Sequence, residues 1–244
     1  MDSTTRTVLI TGASGGIGFE LAKLFAKDRY NLVLTARSGD KLKQIAAQLQ
    51  EEFGVTVKTV ALDLAAEQAA KILFDHLEGE AVVVDVLVNN AGFGVYGGFA
   101  GLAEEDILGQ IQLNVTALTH LTRLFLPGMI ARRGGKIMNV ASTAAFQAGP
   151  LMAVYYATKA YVLSFSEALA NEVAGTGVVV NCFCPGPTDS GFQKRAGMES
   201  SRLVKKMGAM KGEAVARDGY RGLIAGKTLV ISGVRNWLVA EAVR

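Results

Sequence analysis

Cysteine and histidine are scarce in this sequence, with two residues of each among 244. Two cysteines cannot provide a disulfide scaffold for a chain of this length, so we expect a reducing, cytoplasmic environment. Cys182 and Cys184 lie two positions apart, while His76 and His120 are isolated. We therefore expect no metal site, and no Ser-His-Asp order fits a hydrolase.

Long apolar runs and dense charge are also missing. No stretch approaches the ~18 to 20 unbroken apolar residues of a membrane span, and residues 1–7 lack the apolar core of a signal peptide. The formal net charge is only +3. The mildly basic stretch 194–211 is predicted to be either a solvated helix face or an attraction site for an anionic substrate tail or carrier protein. We expect no nucleic-acid partner.

Proline is rare too, with four residues, and the 28 glycines follow no period. Without a linker or repeat, the chain is predicted to form one domain over residues 1–244. Short apolar segments alternate with longer stretches of helical spacing. Strands are predicted at 7–11, 31–36, 56–63, 84–92, 135–142, 177–186 and 227–232, and helices at about 16–28, 40–53, 66–77, 104–131 and 153–174.

This alternation predicts an α/β class: a single-domain, doubly wound Rossmann-type fold, with a seven-stranded parallel sheet and helices on both faces. Ligands of such sheets bind beyond the carboxyl ends of the strands. Functional residues should therefore follow strands directly.

The first strand ends in a glycine-rich turn, "TGASGGIG", which contains Gly12, Gly16 and Gly18. Such a turn lets backbone approach a pyrophosphate, and the following helix presents free N–H groups to it. A plain tight turn is the alternative. Asp63 closes the third strand and could bind an adenine or cap the next helix. "NNAG" at 89–92 could face a ribose or form a structural turn.

Three tyrosines and one lysine lie within "AVYYATKAYV". Tyr155 and Lys159 are four residues apart and share a helix face, whereas Tyr156 points about 100° away. A nearby ammonium favours a phenolate, so this pair could exchange a proton with a substrate oxygen. Ser142 lies at the end of the fifth predicted strand and could hydrogen-bond the same oxygen. Tyr156 and Tyr161 are predicted to pack or to support the site.

The chain resembles the short-chain dehydrogenase/reductase family, in its single-domain form of about 250 residues. The matching motifs occur in the family's order: "TGASGGIG", Asp63, "NNAG", Asn114 in "LNVTA", Ser142 in "NVAST", "YYATK" and "PGPTDS".

The resemblance implies four catalytic roles. Tyr155 would be the general acid/base, and Ser142 would hold the substrate oxygen. Lys159 would bind the nicotinamide ribose and lower the Tyr155 pKa. Asn114 would interrupt its helix and anchor a water in a proton relay to Lys159. The residues expected at the cofactor are Gly12, Ser14, Gly16, Ile17, Gly18, Arg37, Ser38, Asp63, Leu64, Asn90, Ala91, Gly92, Tyr155, Lys159, Pro185, Gly186, Thr188 and Ser190.

The end of the second predicted strand indicates the cofactor. Folds specific for NAD usually carry an acidic residue there, which accepts hydrogen bonds from the ribose. This strand ends at Ala36 instead, and Arg37 and Ser38 could bind a 2′-phosphate. NADP(H) is therefore the predicted cofactor, unless Arg37 is merely exposed after a strand.

The leading interpretation is an NADP(H)-dependent oxidoreductase that interconverts a carbonyl and a secondary alcohol by hydride transfer. The alternative is a catalytically silent, dinucleotide-binding regulatory protein. Residues 187–226, which contain Phe192 and Met198, are predicted to form a weakly helical lid over a fairly apolar substrate. The family resemblance implies a homodimer or homotetramer built through the two long helices.

Overall fold

The main sheet has the predicted seven parallel strands. The computed structural model describes residues 6–198 and 209–242. Its strands are β1 (Thr7–Thr11), β2 (Asn31–Ala36), β3 (Val57–Ala61), β4 (Val86–Asn89), β5 (Gly135–Val140), β6 (Val178–Cys184), β7 (Thr188–Asp189), β8 (Met210–Lys211) and β9 (Leu229–Ile231). The sheet order is β3-β2-β1-β4-β5-β6-β9, while β7 and β8 form a separate parallel pair. The predicted fold class is confirmed.

Helices cover both faces of this sheet. They are α1 (Gly16–Lys27), α2 (Gly39–Phe53), α3 (Ala69–Gly79), α4 (Glu104–Ile111), α5 (Leu118–Ala131), α6 (Ala153–Glu172), α7 (Phe192–Arg195), α8 (Gly212–Ile224) and α9 (Val234–Ala242). Leu21 of α1 and Val215 of α8 belong to the core of one face. Leu73 of α3, Phe125 of α5 and Leu169 of α6 belong to the core of the other. Among the helices of the described ranges, none is long and apolar enough to cross a membrane.

The strand order places a crevice above the middle of the sheet. From β1 the chain passes to β2 and β3 on one side, and it then returns to β4 on the other side of β1. The connections that follow β1 and β4 therefore diverge, and parallel sheets bind ligands in the gap between such connections.

The long helix predicted over 104–131 is interrupted by a π-helical segment, Gln112–Ala117. Asn114 lies within this segment and is only 1% exposed. Its side-chain amide bonds the backbone of Phe93, donating to the carbonyl oxygen at 2.9 Å and accepting from the N–H at 3.1 Å. The widened turn thus brings a buried amide to the loop that follows β4. π-bulges of this kind frequently mark functional sites.

The prediction of weak helical structure over 187–226 is wrong for the last part of that range. Helix α8 is regular, and Val215 and Ala216 are fully buried against the sheet and α1. A lid role for the range remains a prediction, and α8 itself forms part of the core. Much of the basic stretch 194–211 lies outside the described residues, so its binding role stays a prediction.

Candidate active site

A cavity of about 590 Å³ opens at the carboxyl edge of the sheet. The predicted site residues that line it lie beyond the ends of six strands, except Tyr155 and Lys159, which lie on helix α6. They are Gly12, Ser14, Gly16, Ile17, Arg37, Ser38, Asp63, Leu64, Asn90, Ala91, Gly92, Ser142, Tyr155, Lys159, Pro185, Gly186, Thr188 and Ser190. Gly18 and Asn114 do not line the cavity. Gly18 packs against Gly12 and Asn90, and Asn114 bonds the backbone of Phe93. One elongated cavity thus joins the glycine turn to the tyrosine.

The glycine turn has the backbone geometry that requires glycine. Gly12 and Gly16 have φ values of +66° and +53°, in the left-handed region. A Cβ on Gly12 would lie 2.9 Å from the Cα of Ala91, and one on Gly18 would lie 2.5 Å from the carbonyl oxygen of Gly12. No side chain of the described residues caps the N-terminus of α1. The turn fits a pyrophosphate group, because the backbone is open and the helix end is free to bind an anion.

The side chain of Asn90, just beyond β4, ties the glycine turn after β1 to the connection after β4. The Asn90 side chain donates to the carbonyl oxygens of Thr11 at 2.8 Å and Gly12 at 3.2 Å. The Thr11 hydroxyl in turn accepts hydrogen bonds from two backbone N–H groups beyond β4, at 2.9 and 3.0 Å. Asp63 accepts a hydrogen bond from the N–H of Ala65 at 3.0 Å. These residues hold the cavity wall in place, and Asp63 keeps a carboxylate oxygen for a ligand.

Ser142 and Tyr155 meet at the other end of the cavity. Strand β5 ends at Val140, so Ser142 lies in the turn just beyond it, where its hydroxyl accepts a hydrogen bond from the N–H of Ala144 at 3.1 Å. An interaction with the Ser142 hydroxyl lowers the pKa of Tyr155, which is only 9% exposed. Tyr156 lies beside Tyr155, with ring centres 6.1 Å apart. The two neighbouring tyrosines therefore occupy different positions, and Tyr155 is the one whose pKa responds to the serine.

The protonation state of Tyr155 differs from the prediction. Burial raises the Tyr155 pKa to about 12, and the hydrogen bond from Ser142 only partly opposes this rise. The lowering of this pKa that was predicted for Lys159 does not outweigh burial, so the net shift is upward. The Lys159 Nζ donates to the Val140 carbonyl oxygen at 2.8 Å and lies 5.8 Å from the centre of the tyrosine ring. Desolvation therefore dominates, and Tyr155 holds its proton at neutral pH.

Burial also perturbs the ionisation of Lys159. It is only 5% exposed, and burial lowers its pKa from 10.5 to about 8. A buried ammonium without a carboxylate partner costs stability. The shift corresponds to about 3 kcal/mol at neutral pH. Such a cost is common at functional sites, where selection acts on chemistry rather than on stability.

We expect Lys159→Met to stop turnover and to weaken cofactor binding, but not to lower the Tm at pH 7. Between pH 8 and 10.5 the unfolded chain holds the lysine proton and the folded chain does not, so the lysine's contribution to wild-type stability rises with pH over this window. The Tm of the wild type should therefore rise relative to the Tm of the variant between pH 7 and pH 9.5. Calorimetric scans at both pH values check this. A Tm difference that is independent of pH would show that burial does not perturb Lys159.

Asn114 and Lys159 approach the same side of the Gly92 backbone. A Cβ on Gly92 would be 3.0 Å from the Asn114 Oδ1 and 3.4 Å from the Lys159 Nζ. The Asn114 Nδ2 also donates to the Thr158 hydroxyl at 3.1 Å. The structure therefore places Asn114 beside the lysine, and its role in a water relay stays a prediction.

Several further residues line the cavity beside the predicted catalytic and cofactor residues. Phe192 lies with its ring centre 5.1 Å from that of Tyr155. Lys41 projects over the glycine turn, since a Cβ on Gly15 would be 3.5 Å from its Nζ. Further lining residues not singled out for contact with the cofactor or substrate oxygen are Gln147, Met152, Tyr156, Gln193, Arg195 and Met198. Phe192, Gln193 and Arg195 lie on the short helix α7, which the periodicity of the sequence does not predict.

A family model of short chain dehydrogenases matches residues 6–200. The chain belongs to the short-chain dehydrogenase family. Its relatives include proteins named as reductases and dehydrogenases. A relative from Nostoc sp., described as ketoacyl reductase HetN, is 34% identical over 183 residues, which cover 75% of this chain and 63% of that protein. The match thus spans less than two thirds of that relative's length.

Solved structures of short-chain dehydrogenases cover nearly the whole chain. A short-chain dehydrogenase from Sphingobium yanoikuyae in complex with NADPH has a TM-score of 0.88 and 32% identity, over 97% of this chain and 92% of that one. A family member from Burkholderia phymatum in complex with NAD has a TM-score of 0.87 and 23% identity, over 99% and 93%. Short-chain dehydrogenases of this fold therefore include complexes with either nicotinamide dinucleotide.

Proposed function

We propose that this short-chain dehydrogenase reduces a ketone or aldehyde to an alcohol with NADPH, with Tyr155 as the general acid. The observation that carries the proposal is the convergence of Ser142, a protonated Tyr155 and Lys159 on one end of a cavity that begins at the glycine turn. A protonated tyrosine is the form that reduction requires, because the product alcohol takes up a proton.

The side chains supply the proton chemistry of this reaction. A bound nicotinamide supplies the hydride. Ser142 donates a hydrogen bond to the substrate oxygen and stabilises the negative charge that develops there. Tyr155 transfers its phenolic proton to this oxygen. Lys159 stabilises the resulting phenolate through its positive charge and binds the ribose hydroxyls of the cofactor.

The cofactor preference rests on the residues at the end of β2. Ala36 ends the strand without a carboxylate, and the exposed residues Arg37 and Ser38 follow at the cavity wall. A guanidinium can bind a 2′-phosphate with two charge-assisted hydrogen bonds. The NADPH bound to the Sphingobium relative supports this assignment.

The substrate end of the cavity is apolar and aromatic. Met152, Tyr156, Phe192 and Met198 pack around Tyr155. This wall suits a fairly apolar ketone, because desolvating such a substrate costs little and the methionines can adapt to its shape.

We expect Phe192→Ala to raise KM for bulky apolar ketones several-fold, with a smaller effect on kcat. Phe192 belongs to the apolar wall of the cavity and carries no group that takes part in proton transfer, so its removal weakens binding more than chemistry. Steady-state kinetics with a large aryl ketone and a small aliphatic ketone measure the difference. An equal loss of kcat for both ketones would assign Phe192 to the positioning of Tyr155 instead.

Three further expectations belong to this proposal. The part of the range 187–226 that precedes α8 closes over the substrate as a lid. The enzyme forms a homodimer or homotetramer through the helices around α5 and α6. It acts in the cytoplasm.

A panel of aldehydes, ketones and alcohols, assayed with NADPH, NADH and their oxidised forms by nicotinamide absorbance, tests the proposal. We expect ketone-dependent oxidation of NADPH. Tight NADPH binding without turnover on any member of a broad panel would favour the catalytically silent, regulatory alternative.

A further inference from the structure

The adenosine end of the cavity contains more positive charge than the predicted site residues account for. Arg37 lines it from the end of β2, and Lys41 from the first turns of α2. Arg195, the last residue of α7, lines the same cavity from a different element. Asp63 is the one acidic residue among the described residues of the lining. An anion at this end would therefore be attracted by basic groups of two elements.

Arg195 reaches toward this end from the segment after β7. Its guanidinium carbon lies 4.8 Å from the ring centre of Phe93, which directly follows the "NNAG" turn. This cation–π contact fixes the direction of the long side chain, although Arg195 remains exposed to solvent. The residue thus extends from α7 to the connection after β4.

The two arginines act on each other in this arrangement. Partial burial and the charge of Arg37 lower the pKa of Arg195, while Asp63 opposes this effect. Two guanidinium groups that face one cavity repel each other, and the repulsion becomes attraction when a dianion binds between them. A phosphate group is a dianion of the required size, and a planar guanidinium matches its oxygens.

We propose that Arg195 is a second arginine ligand of the 2′-phosphate of NADPH, together with Arg37, and that this contact holds segment 191–198 over the bound cofactor. The role rests on the proposed NADP(H) dependence. It would make the predicted lid sensitive to the phosphate that distinguishes NADPH from NADH.

Equilibrium binding of NADPH and NADH to four forms of the enzyme tests this role: wild type, Arg195→Gln, Arg37→Gln and Lys194→Gln. Lys194 is the matched control, since it is exposed, precedes Arg195 in the same helix and does not line the cavity. We expect Arg195→Gln to raise the NADPH Kd about tenfold or more while the NADH Kd changes less than about twofold. Lys194→Gln should leave both constants near wild type.

Other results would overturn the role. Equal weakening of NADPH and NADH by Arg195→Gln would place Arg195 at the pyrophosphate or assign it to lid packing alone. No change in either constant, with Arg37→Gln still reducing NADPH affinity, would remove Arg195 from the site and leave the NADP(H) assignment intact. Equal affinity of the wild-type enzyme for the two cofactors would overturn the NADP(H) assignment and this role together.

Discussion

Tyr155→Phe is expected to reduce kcat for ketone reduction about a thousandfold or more, while the Kd for NADPH stays near the wild-type value. The substitution removes only the hydroxyl that carries the transferred proton, and general acid catalysis contributes about 10² to 10⁴ in rate. The apolar ring contacts with Phe192 and Met152 remain. Single-turnover absorbance measurements with saturating NADPH give the rate, and fluorescence titration gives the Kd.

Tyr156→Phe provides the matched control, because it removes the same atom from the neighbouring residue. Tyr156 lines the cavity but points to a different side of α6. We expect this variant to retain most activity. If Tyr156→Phe were inactive and Tyr155→Phe active, the assignment of the proton donor would be wrong.

The double substitution Ala36→Asp and Arg37→Leu is expected to shift the ratio of kcat/KM for NADPH over NADH by about a hundredfold or more toward NADH. The new carboxylate accepts hydrogen bonds from the ribose hydroxyls and repels a 2′-phosphate, and the loss of the guanidinium removes its charge-assisted bonds. Steady-state kinetics with one ketone and both cofactors measure the ratio.

Lys43→Gln controls for the loss of one positive charge in this region. Lys43 is exposed on α2 and does not line the cavity. Its replacement should leave the cofactor ratio unchanged. If the double variant lowered kcat/KM equally for both cofactors, so that their ratio was preserved, the end of β2 would not recognise the 2′-phosphate.

The sheet could be predicted from the sequence because each of its strands is a short apolar run between helical stretches. Local chemistry also located the glycine turn and Ser142, since both follow strands whose carboxyl ends share one edge. The family resemblance placed Asn114 in a helix interruption, which matches the observed π-helical segment.

Helix α8 could not be predicted with the same ease, because glycines weaken its helical pattern. Gly219 and Gly222 lie on the buried face. A Cβ on Gly219 would be 2.8 Å from the ring of Phe183, and one on Gly222 would clash with Val230. These glycines allow the helix to approach the sheet closely. Their function depends on tertiary packing, whereas their propensity in isolation disfavours a helix.

The protonation state of Tyr155 could not be predicted from the sequence either. Spacing along α6 shows that Tyr155 and Lys159 share a face, and a partner ammonium would lower the tyrosine pKa. The sign of the shift is decided by burial, which depends on Phe192 and other residues distant in the chain. The same holds for Arg195, which lines the cavity from the short helix α7.

The central claim is that Tyr155 carries the proton that reduction delivers to the substrate. Ultraviolet difference titration of wild type against Tyr155→Phe measures the protonation of this residue directly and needs no substrate. With a pKa of about 12, we predict that no Tyr155 phenolate signal develops up to about pH 10. A phenolate signal from Tyr155 that titrates at or below about pH 8 would contradict the account.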